Sequence, residues 1–105
     1  MASSREYLDF ILEQLSEVEG ITWRAMMGEY IIYYKDKVAG GIYDNRFLVK
    51  PTKVAVSLMT EAEMKVPYDG AKEMLLVDDV ENREFLKELF DAMYEELPAV
   101  KRKKG

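Results

Sequence analysis

Apolar residues recur every three or four positions near both ends of the chain, which is the pattern of a helix that buries one face. The first such segment runs from about residue 4 to residue 18, and its apolar positions are Leu8, Ile11, Leu12, Leu15 and Val18. The second follows residue 79, and its apolar positions are Leu86, Leu89, Phe90, Met93 and Leu97. The sequence therefore predicts an amphipathic helix near each end.

Short polar motifs predict where these two helices begin and end. Ser3-Ser4-Arg5-Glu6 fits the Ser-x-x-Glu capping box, in which side chains satisfy the free backbone N–H groups of a helix start. Gly20 is placed to end the first helix in a left-handed conformation. Asp78-Asp79 is expected to cap the last helix, and Pro98 is expected to stop it because proline cannot continue a helix.

The stretch from Thr22 to Lys50 has the period of two that is typical of strands. Tyr30, Ile32 and Tyr34 alternate with Ile31 and Tyr33, so successive side chains should lie on opposite faces of a sheet. Two polar breaks follow, Lys35-Asp36-Lys37 and Asp44-Asn45, and both suit tight turns. This stretch therefore predicts a three-stranded antiparallel meander.

Beyond the meander, Pro51-Thr52 predicts the start of a short helix through residue 58 or 59, with Thr52 as its cap. The alternation of Val54, Val56 and Leu58 also fits a strand, but the Pro-Thr start favours the helix. A short edge strand at residues 64–68, a turn at 69–70 and a last strand at 73–77 complete the pattern. The order α-β-β-β-α-β-β-α predicts a two-layer α+β fold, with a single antiparallel sheet and helices packed on one face.

Length and charge limit the classes of protein that are possible. The chain has 105 residues and a formal net charge of -5, and the pattern predicts one domain over residues 1–100 and a disordered basic tail at 101–105. Both helical ends are acidic, and this distribution argues against strong independent binding to nucleic acid. No apolar run is long enough to span a membrane, and there is no cysteine. We therefore expect a soluble, cytoplasmic protein.

Residue types that carry most enzyme chemistry are missing from the sequence. Histidine and cysteine are absent, which removes the commonest general base, thiolate nucleophile and metal ligands. A cation site at Asp78-Asp79 with Glu81 is less favoured than helix capping. We therefore predict no catalytic residues, no metal and no cofactor.

Two features of the meander nevertheless suggest a contact site for another element of the chain, a small ligand or a nucleic acid. Gly40-Gly41 indicates a bulge or a close approach to the backbone, and a helix packed there or plain strand coiling is favoured over a small ligand. Tyrosines and basic residues of the same stretch offer an alternative, a sheet on which the bases of a single nucleic-acid strand stack. These residues are Arg24, Tyr30, Tyr33, Tyr34, Tyr43, Arg46 and Lys50.

Several motifs of the meander resemble the N-terminal domain of the TfoX/Sxy family of competence and transcription regulators. They are Arg24-x-Met26-x-Gly28, Tyr30 and Tyr33, Lys35-Asp36-Lys37, Gly40-Gly41 and Leu48-x-Lys50. Met27 stands where the family usually has phenylalanine, and Glu29 where it usually has a second glycine. The resemblance implies a secretion-chaperone-like α+β fold and a non-enzymatic regulatory or adaptor role, with a protein partner from the transcription machinery or a regulator. It places the interaction at Arg24, Met26, Gly28, Glu29, Tyr30, Tyr33, Gly40, Gly41 and Lys50.

A homodimer is a further expectation from the sheet. The strand at residues 64–68 contains Pro67, which lacks a backbone donor, so it is a protected edge. The acidic helices should repel one another, which leaves the aromatic first strand of the meander as the better pairing surface. We expect that replacing Tyr30 or Tyr33 by a charged residue weakens self-association, provided that the tyrosine points away from the core.

Overall fold

One open antiparallel sheet with helices on one face forms the protein in the computed structural model, which describes residues 3–97. In chain order the elements are α1 (Arg5–Gln14), β1 (Ile21–Met26), β2 (Glu29–Tyr34), β3 (Lys37–Tyr43), β4 (Arg46–Val49), α2 (Lys53–Leu58), β5 (Met64–Lys65), β6 (Met74–Leu76) and α3 (Arg83–Met93). A turn of 3-10 helix, Tyr94–Glu96, follows α3. The strand order is β1-β2-β3-β4-β6-β5. The predicted α+β fold with a single antiparallel sheet is confirmed.

Three two-residue turns connect the four strands of the meander. Met27-Gly28, Lys35-Asp36 and Asp44-Asn45 all have positive φ, between 50° and 87°, which suits the hairpin turns whose twist matches that of the flanking strands. The stretch before Tyr34 therefore contains two strands, β1 and β2, because Met27-Gly28 reverses the chain. The meander has one strand more than the alternation of its residues indicated.

Side-chain caps fix the starts of the helices, although not all at the predicted residues. The Ser4 hydroxyl accepts a hydrogen bond from the Tyr7 N–H at 3.0 Å, so Ser4 is the cap and Ser3 is free for another role. Thr52 caps α2 as predicted, since its hydroxyl accepts from the Ala55 N–H at 3.1 Å.

The predicted bounds of the outer helices need correction. The cap of α3 is Asn82, whose side-chain oxygen accepts from the Phe85 N–H at 3.1 Å, so the prediction of Asp78-Asp79 was wrong. Helix α1 ends at Gln14 and not at Val18, and the chain then turns through Gly20, which has a φ of +88°. The predicted stop at Pro98 and the tail at 101–105 lie outside the described residues.

The core lies between the three helices and one face of the sheet. Alternate strand residues, among them Ile32 and Phe47, point into it and are fully buried. The Phe47 ring stacks on the Phe90 ring of α3, with 6.2 Å between centroids, and Phe90 also meets the edge of Tyr34. The intervening strand residues, such as Ile31, point to the opposite side, which we call the helix-free face.

Candidate interaction site on the helix-free face

An open cleft of about 370 Å³ lies on the helix-free face, beneath the segment that joins β5 to β6. The sheet side of the cleft is formed by Met26, Ile31, Val38, Gly40, Tyr43, Lys50 and Pro51. The joining segment contributes Pro67, Tyr68, Ala71, Lys72 and Glu73, and Met74 of β6 completes the lining. The cleft therefore has a largely apolar floor and a charged rim.

Gly40 and Gly41 shape the sheet at this cleft. The register between β2 and β3 shifts at Ile32/Tyr33, which pair with Gly40 and Val38 and leave Ala39 as the extra residue of a bulge. A Cβ at Gly40 would collide with the Leu48 carbonyl oxygen of β4. The predicted bulge is present, and the group that approaches Gly40 is the neighbouring strand β4, not a packed helix.

Gly41 makes room for the ring of Tyr43, which lies across it. A Cβ at Gly41 would be 2.5 Å from Tyr43 Cε2 and 2.7 Å from the Tyr30 carbonyl oxygen. The Tyr43 side chain is 6% exposed, and this burial raises the pKa of its hydroxyl, with smaller contributions from Tyr68, Glu29 and Tyr33. Tyr43 is therefore a fixed part of the floor.

Tyr68 forms an accessible wall of the cleft. Its ring lies 5.9 Å from that of Tyr43, centroid to centroid, and the residue is 52% exposed. Val66, which precedes Pro67 on the same segment, is also more than one-third exposed, at 43%. An exposed aromatic ring beside an apolar cleft is typical of a contact surface.

Basic groups without partners surround the apolar floor. Among the described residues, the ammonium groups of Lys50 and Lys72 have no ion pair or hydrogen bond. By contrast, Arg46 donates to the carbonyl oxygens of Tyr43 at 3.1 Å and Val66 at 3.4 Å. Two lysines at the cleft are thus available to a ligand or partner.

Lys65 and Glu63 form an ion pair near this rim. The Lys65 Nζ lies 2.7 Å from Glu63 Oε1, and this hydrogen bond lowers the pKa of the Glu63 carboxyl. The carboxylate of Glu63 is therefore already paired with Lys65. Glu73 is the acidic side chain that lines the cleft itself.

Six of the nine predicted interaction residues lie on or near the helix-free face. Met26, Gly40 and Lys50 line the cleft. Arg24 is opposite Ile31 in the pairing of β1 with β2 and is exposed on the same face. The two remaining members of this group are Tyr33 and Gly41, which alternate with core-facing residues.

Tyr30 lies on the other side of the sheet. Its ring meets the edge of Trp23 at 5.6 Å, and both side chains pack against the core. The four tyrosines of the meander are therefore divided between the faces, with Tyr30 and Tyr34 towards the helices and Tyr33 and Tyr43 away from them. They do not form one stacking platform.

Gly28 and Glu29 belong to a network that holds the chain start to two hairpin turns. The Ser3 hydroxyl donates to Glu29 Oε1 at 2.6 Å, and the same oxygen accepts from the Asp44 N–H at 3.2 Å. The Ser3 N–H donates to the Gly28 carbonyl oxygen at 2.9 Å, and the Asn45 N–H donates to the Ser3 hydroxyl at 3.0 Å. Glu29 is committed to these internal bonds.

Sequence reasoning missed the contributions of Pro67, Tyr68 and Lys72 to the cleft. The available signal was an apolar Val66-Pro67-Tyr68 run placed between two short strands, where a solvated loop would be expected to be polar. Its position over the sheet depends on contacts distant in sequence, such as the one between Tyr43 and Tyr68.

A second cleft, of about 640 Å³, lies on the other side of the molecule, between the turn that follows α1 and helix α3. It is larger and also open, and most of its lining side chains are charged, including Glu17, Glu84 and Asp91. Within residues 3–97, no group of three or more acidic side chains is arranged to hold a metal ion. Nor is any helix in this part of the chain long and apolar enough to cross a membrane.

Comparison with known proteins gives a relative but no function. No family model and no solved structure matches the chain. The chain is 34% identical over 106 aligned positions to an uncharacterized 12.7 kDa protein in the trpE 5′ region of Spirochaeta aurantia, and the match covers 100% of this chain and 92% of the relative. With this identity over nearly both full lengths, the chain belongs to the family of that spirochaete protein.

Proposed function

We propose that the chain is a non-enzymatic regulatory or adaptor domain that binds another protein through the helix-free face. The observation that carries the proposal is the cleft there, which combines an apolar floor with Lys50 and Lys72, two lysines that have no ion pair among residues 3–97. The absence of histidine and cysteine from the sequence supports a binding role over a catalytic one. The resemblance to the TfoX/Sxy N-terminal domain suggests that the partner is a regulator or part of the transcription machinery.

The chemistry of the cleft favours a partner segment that carries both apolar and acidic side chains. An apolar side chain would fill the floor over Tyr43 and Ile31, beside the exposed ring of Tyr68. Carboxylates flanking it would pair with Lys50 and Lys72, whose attraction adds most to orientation and association rate. A buried aromatic or aliphatic anchor with charged groups at the rim is the usual arrangement of a protein interface.

The alternative of nucleic-acid binding has less geometric support. It requires several accessible rings on one basic surface, whereas Tyr30 and Tyr34 face the helices and Tyr43 is almost fully buried. Tyr33 and Tyr68 are the tyrosines that remain partly accessible on the helix-free face. The third alternative, a small ligand near Gly40, would occupy the same cleft as the proposed protein segment.

Retrieval of partners by a charge-reversed pair and a matched control tests the proposal. The test variant is Lys50→Glu with Lys72→Glu, and the control is Lys53→Glu with Lys87→Glu, two exposed lysines on helices α2 and α3. Both variants change the net charge equally. Tagged wild type and control should retrieve the same protein from a lysate of the native host, and the Lys50/Lys72 variant should lose it.

Three results would count against the proposal. Retrieval of no protein above background, equal loss in both variants, or full retention in the Lys50/Lys72 variant would each contradict the proposed surface. Fluorescence anisotropy with short single strands and duplex DNA at about 50 mM salt separates the alternative, because phosphate contacts are strong at low salt. Binding there that depends on Lys50 and Lys72 would replace the protein partner with nucleic acid.

A further inference from the structure

In the part of the chain that the structure describes, strand β1 is an edge of the sheet with no partner on its outer side. It pairs with β2 through all six of its residues, Ile21–Met26. Within residues 3–97, no hydrogen bond from outside the sheet reaches these residues. The opposite edge, β5, is only two residues long and is soon followed by Pro67. An unprotected strand of this length is a template for pairing with a further strand.

The hairpin geometry identifies which backbone groups face outward. In a hairpin with a two-residue turn, the residues beside the turn form a hydrogen-bonded pair, and here these are Met26 and Glu29. Bonding then alternates along β1, so that Ile21, Trp23 and Ala25 direct their N–H and C=O groups to the open edge. Three residues thus offer six unpaired backbone groups in a row.

We infer that two copies of the chain pair antiparallel through β1, with Trp23 opposite Trp23 of the second copy. This inference is independent of the partner proposed above. The register follows from counting bonds: Trp23 opposite itself and Ile21 opposite Ala25 give six inter-chain hydrogen bonds. A shift by two residues in either direction leaves four. The result is one continuous twelve-stranded sheet with a two-fold axis at Trp23.

Charge also favours this register over its neighbour. With Trp23 at the axis, Arg24 of each copy lies opposite Thr22 of the other, and both are exposed on the helix-free face. The shifted register that places Trp23 opposite Ala25 would set Arg24 directly against Arg24, a like-charge pair that destabilises adjacent strands. On the other face, Arg5 covers Trp23 at 4.9 Å and is neutralised by Asp9 at 3.0 Å.

The pairing has a consequence for the helix-free face. A two-fold axis perpendicular to the sheet keeps each face on the same side in both copies. The two clefts would therefore open on one continuous surface, with the helices of both copies on the other side. A dimer of this kind presents two equivalent sites to a partner with repeated segments, which raises the effective affinity without new contacts.

Substitutions at Thr22 test the pairing without disturbing the core, because Thr22 is exposed. Thr22→Glu places a carboxylate opposite Arg24 of the other copy twice per dimer, and Thr22→Arg places a like charge there. Sedimentation velocity from about 5 to 500 μM should show that Thr22→Glu tightens dimerisation about two- to thirty-fold and that Thr22→Arg weakens it similarly. If wild type and Thr22→Glu are both monomeric throughout, or if the two variants shift in the same direction, β1 does not pair.

Cysteine pairs test the register, since the chain contains no cysteine of its own. Thr22 and Arg24 of the two copies would form a non-hydrogen-bonded pair with Cα atoms about 4.5 Å apart, which a disulfide can bridge. An oxidised mixture of Thr22→Cys and Arg24→Cys chains should give mainly the mixed disulfide dimer. Predominant linking of Thr22→Cys chains to one another, or of Arg24→Cys chains to one another, would overturn the register with Trp23 at the axis. No linking in the mixture would overturn the pairing.

Discussion

Replacing Gly40 by alanine should destabilise the protein more than any other substitution of a glycine by alanine in the described sheet. A Cβ at this position would collide with the Leu48 carbonyl oxygen and would lie 2.8 Å from the Val49 Cα. Both are backbone atoms of β4, so no side-chain rotation can relieve the contact. Strand β4 would have to move by roughly 1 Å to restore ordinary contact distances.

That movement has a cost that can be approximated. Hydrogen bonds between β3 and β4 would stretch beyond about 3.5 Å and weaken, and the overpacked strand would strain the core around Phe47. We expect a loss of about 3 kcal/mol in the free energy of unfolding. For a domain of this size, the midpoint of thermal unfolding should fall by about 12–24 °C.

Gly70→Ala is the matched control for this substitution. A Cβ at Gly70 meets nothing within 4 Å, but the φ of +87° is unfavourable for alanine, at a cost of about 1–2 kcal/mol. Urea unfolding of wild type and both variants gives the comparison, provided that the slopes with denaturant agree. If Gly40→Ala loses no more stability than Gly70→Ala, then β4 does not approach Gly40 as described.

Two other predictions concern internal groups. Glu29→Ala removes the acceptor used by the Ser3 hydroxyl and the Asp44 N–H, so urea unfolding should show a loss of about 1–3 kcal/mol. No loss would mean that the network contributes nothing to stability. Burial favours the neutral hydroxyl of Tyr43 over its ionised form and so raises its pKa. The resulting contribution to stability is fully present below about pH 10, the ordinary tyrosine value, and is lost as the pH rises through the folded pKa. Tyr43→Phe should therefore lose less stability than wild type as the pH rises above about 10, and parallel profiles would contradict the assignment.

Local patterns predicted most of the secondary structure because each pattern is physically self-contained. The three- and four-residue spacing of Leu8, Ile11 and Leu15 places them on one side of a helix whatever the rest of the chain does. Asp44-Asn45 and Thr52 act through their own backbone neighbours, as a turn and a cap. The α+β class then follows from the order of elements and the need to cover one face of the sheet.

The Met27-Gly28 turn was missed because only half of it carries a turn signal. Glycine suits the second position of this turn, but a non-glycine residue with positive φ is most often asparagine or aspartate. Met27 adopts a φ of 52° and is 95% exposed. Its long apolar side chain made the segment resemble the middle of a strand. The strands on both sides hold the turn, and that contribution is not visible in the two residues.

The cap of α3 was misplaced for a similar reason. Asp78, Asp79 and Asn82 are all residues that cap helices well, so composition alone does not choose among them. The choice is made by where the chain leaves β6 and where Leu86 must enter the core. Asn82 satisfies both, and its side chain bonds to the N–H of Phe85.

The candidate site was only partly predictable because its two walls come from segments that are distant in sequence. Met26, Gly40 and Lys50 come from the meander and were among the predicted residues. The other wall comes from residues 66–73, and nothing in their sequence specifies that they fold back over Tyr43. This contact depends on Gly41, whose missing side chain leaves room for the Tyr43 ring, 5.9 Å from the Tyr68 ring and tilted by 52° to it.

The division of the tyrosines follows from the period of the strand itself. Tyr30 and Tyr33 are three residues apart on β2, and since successive side chains alternate, an odd separation puts them on opposite faces. A single flat interface therefore cannot use both rings. Of the two tyrosines, only Tyr33 points away from the core, so we expect a charged residue at Tyr33, and not at Tyr30, to weaken self-association. Tyr33 lies opposite Thr22, so in a β1-paired dimer it shares a face with Arg24 of the second copy, and Thr22 lies between the two. The cleft on the helix-free face and the exposed side chains Thr22 and Arg24 of the β1 edge thus lie on the same face of the sheet.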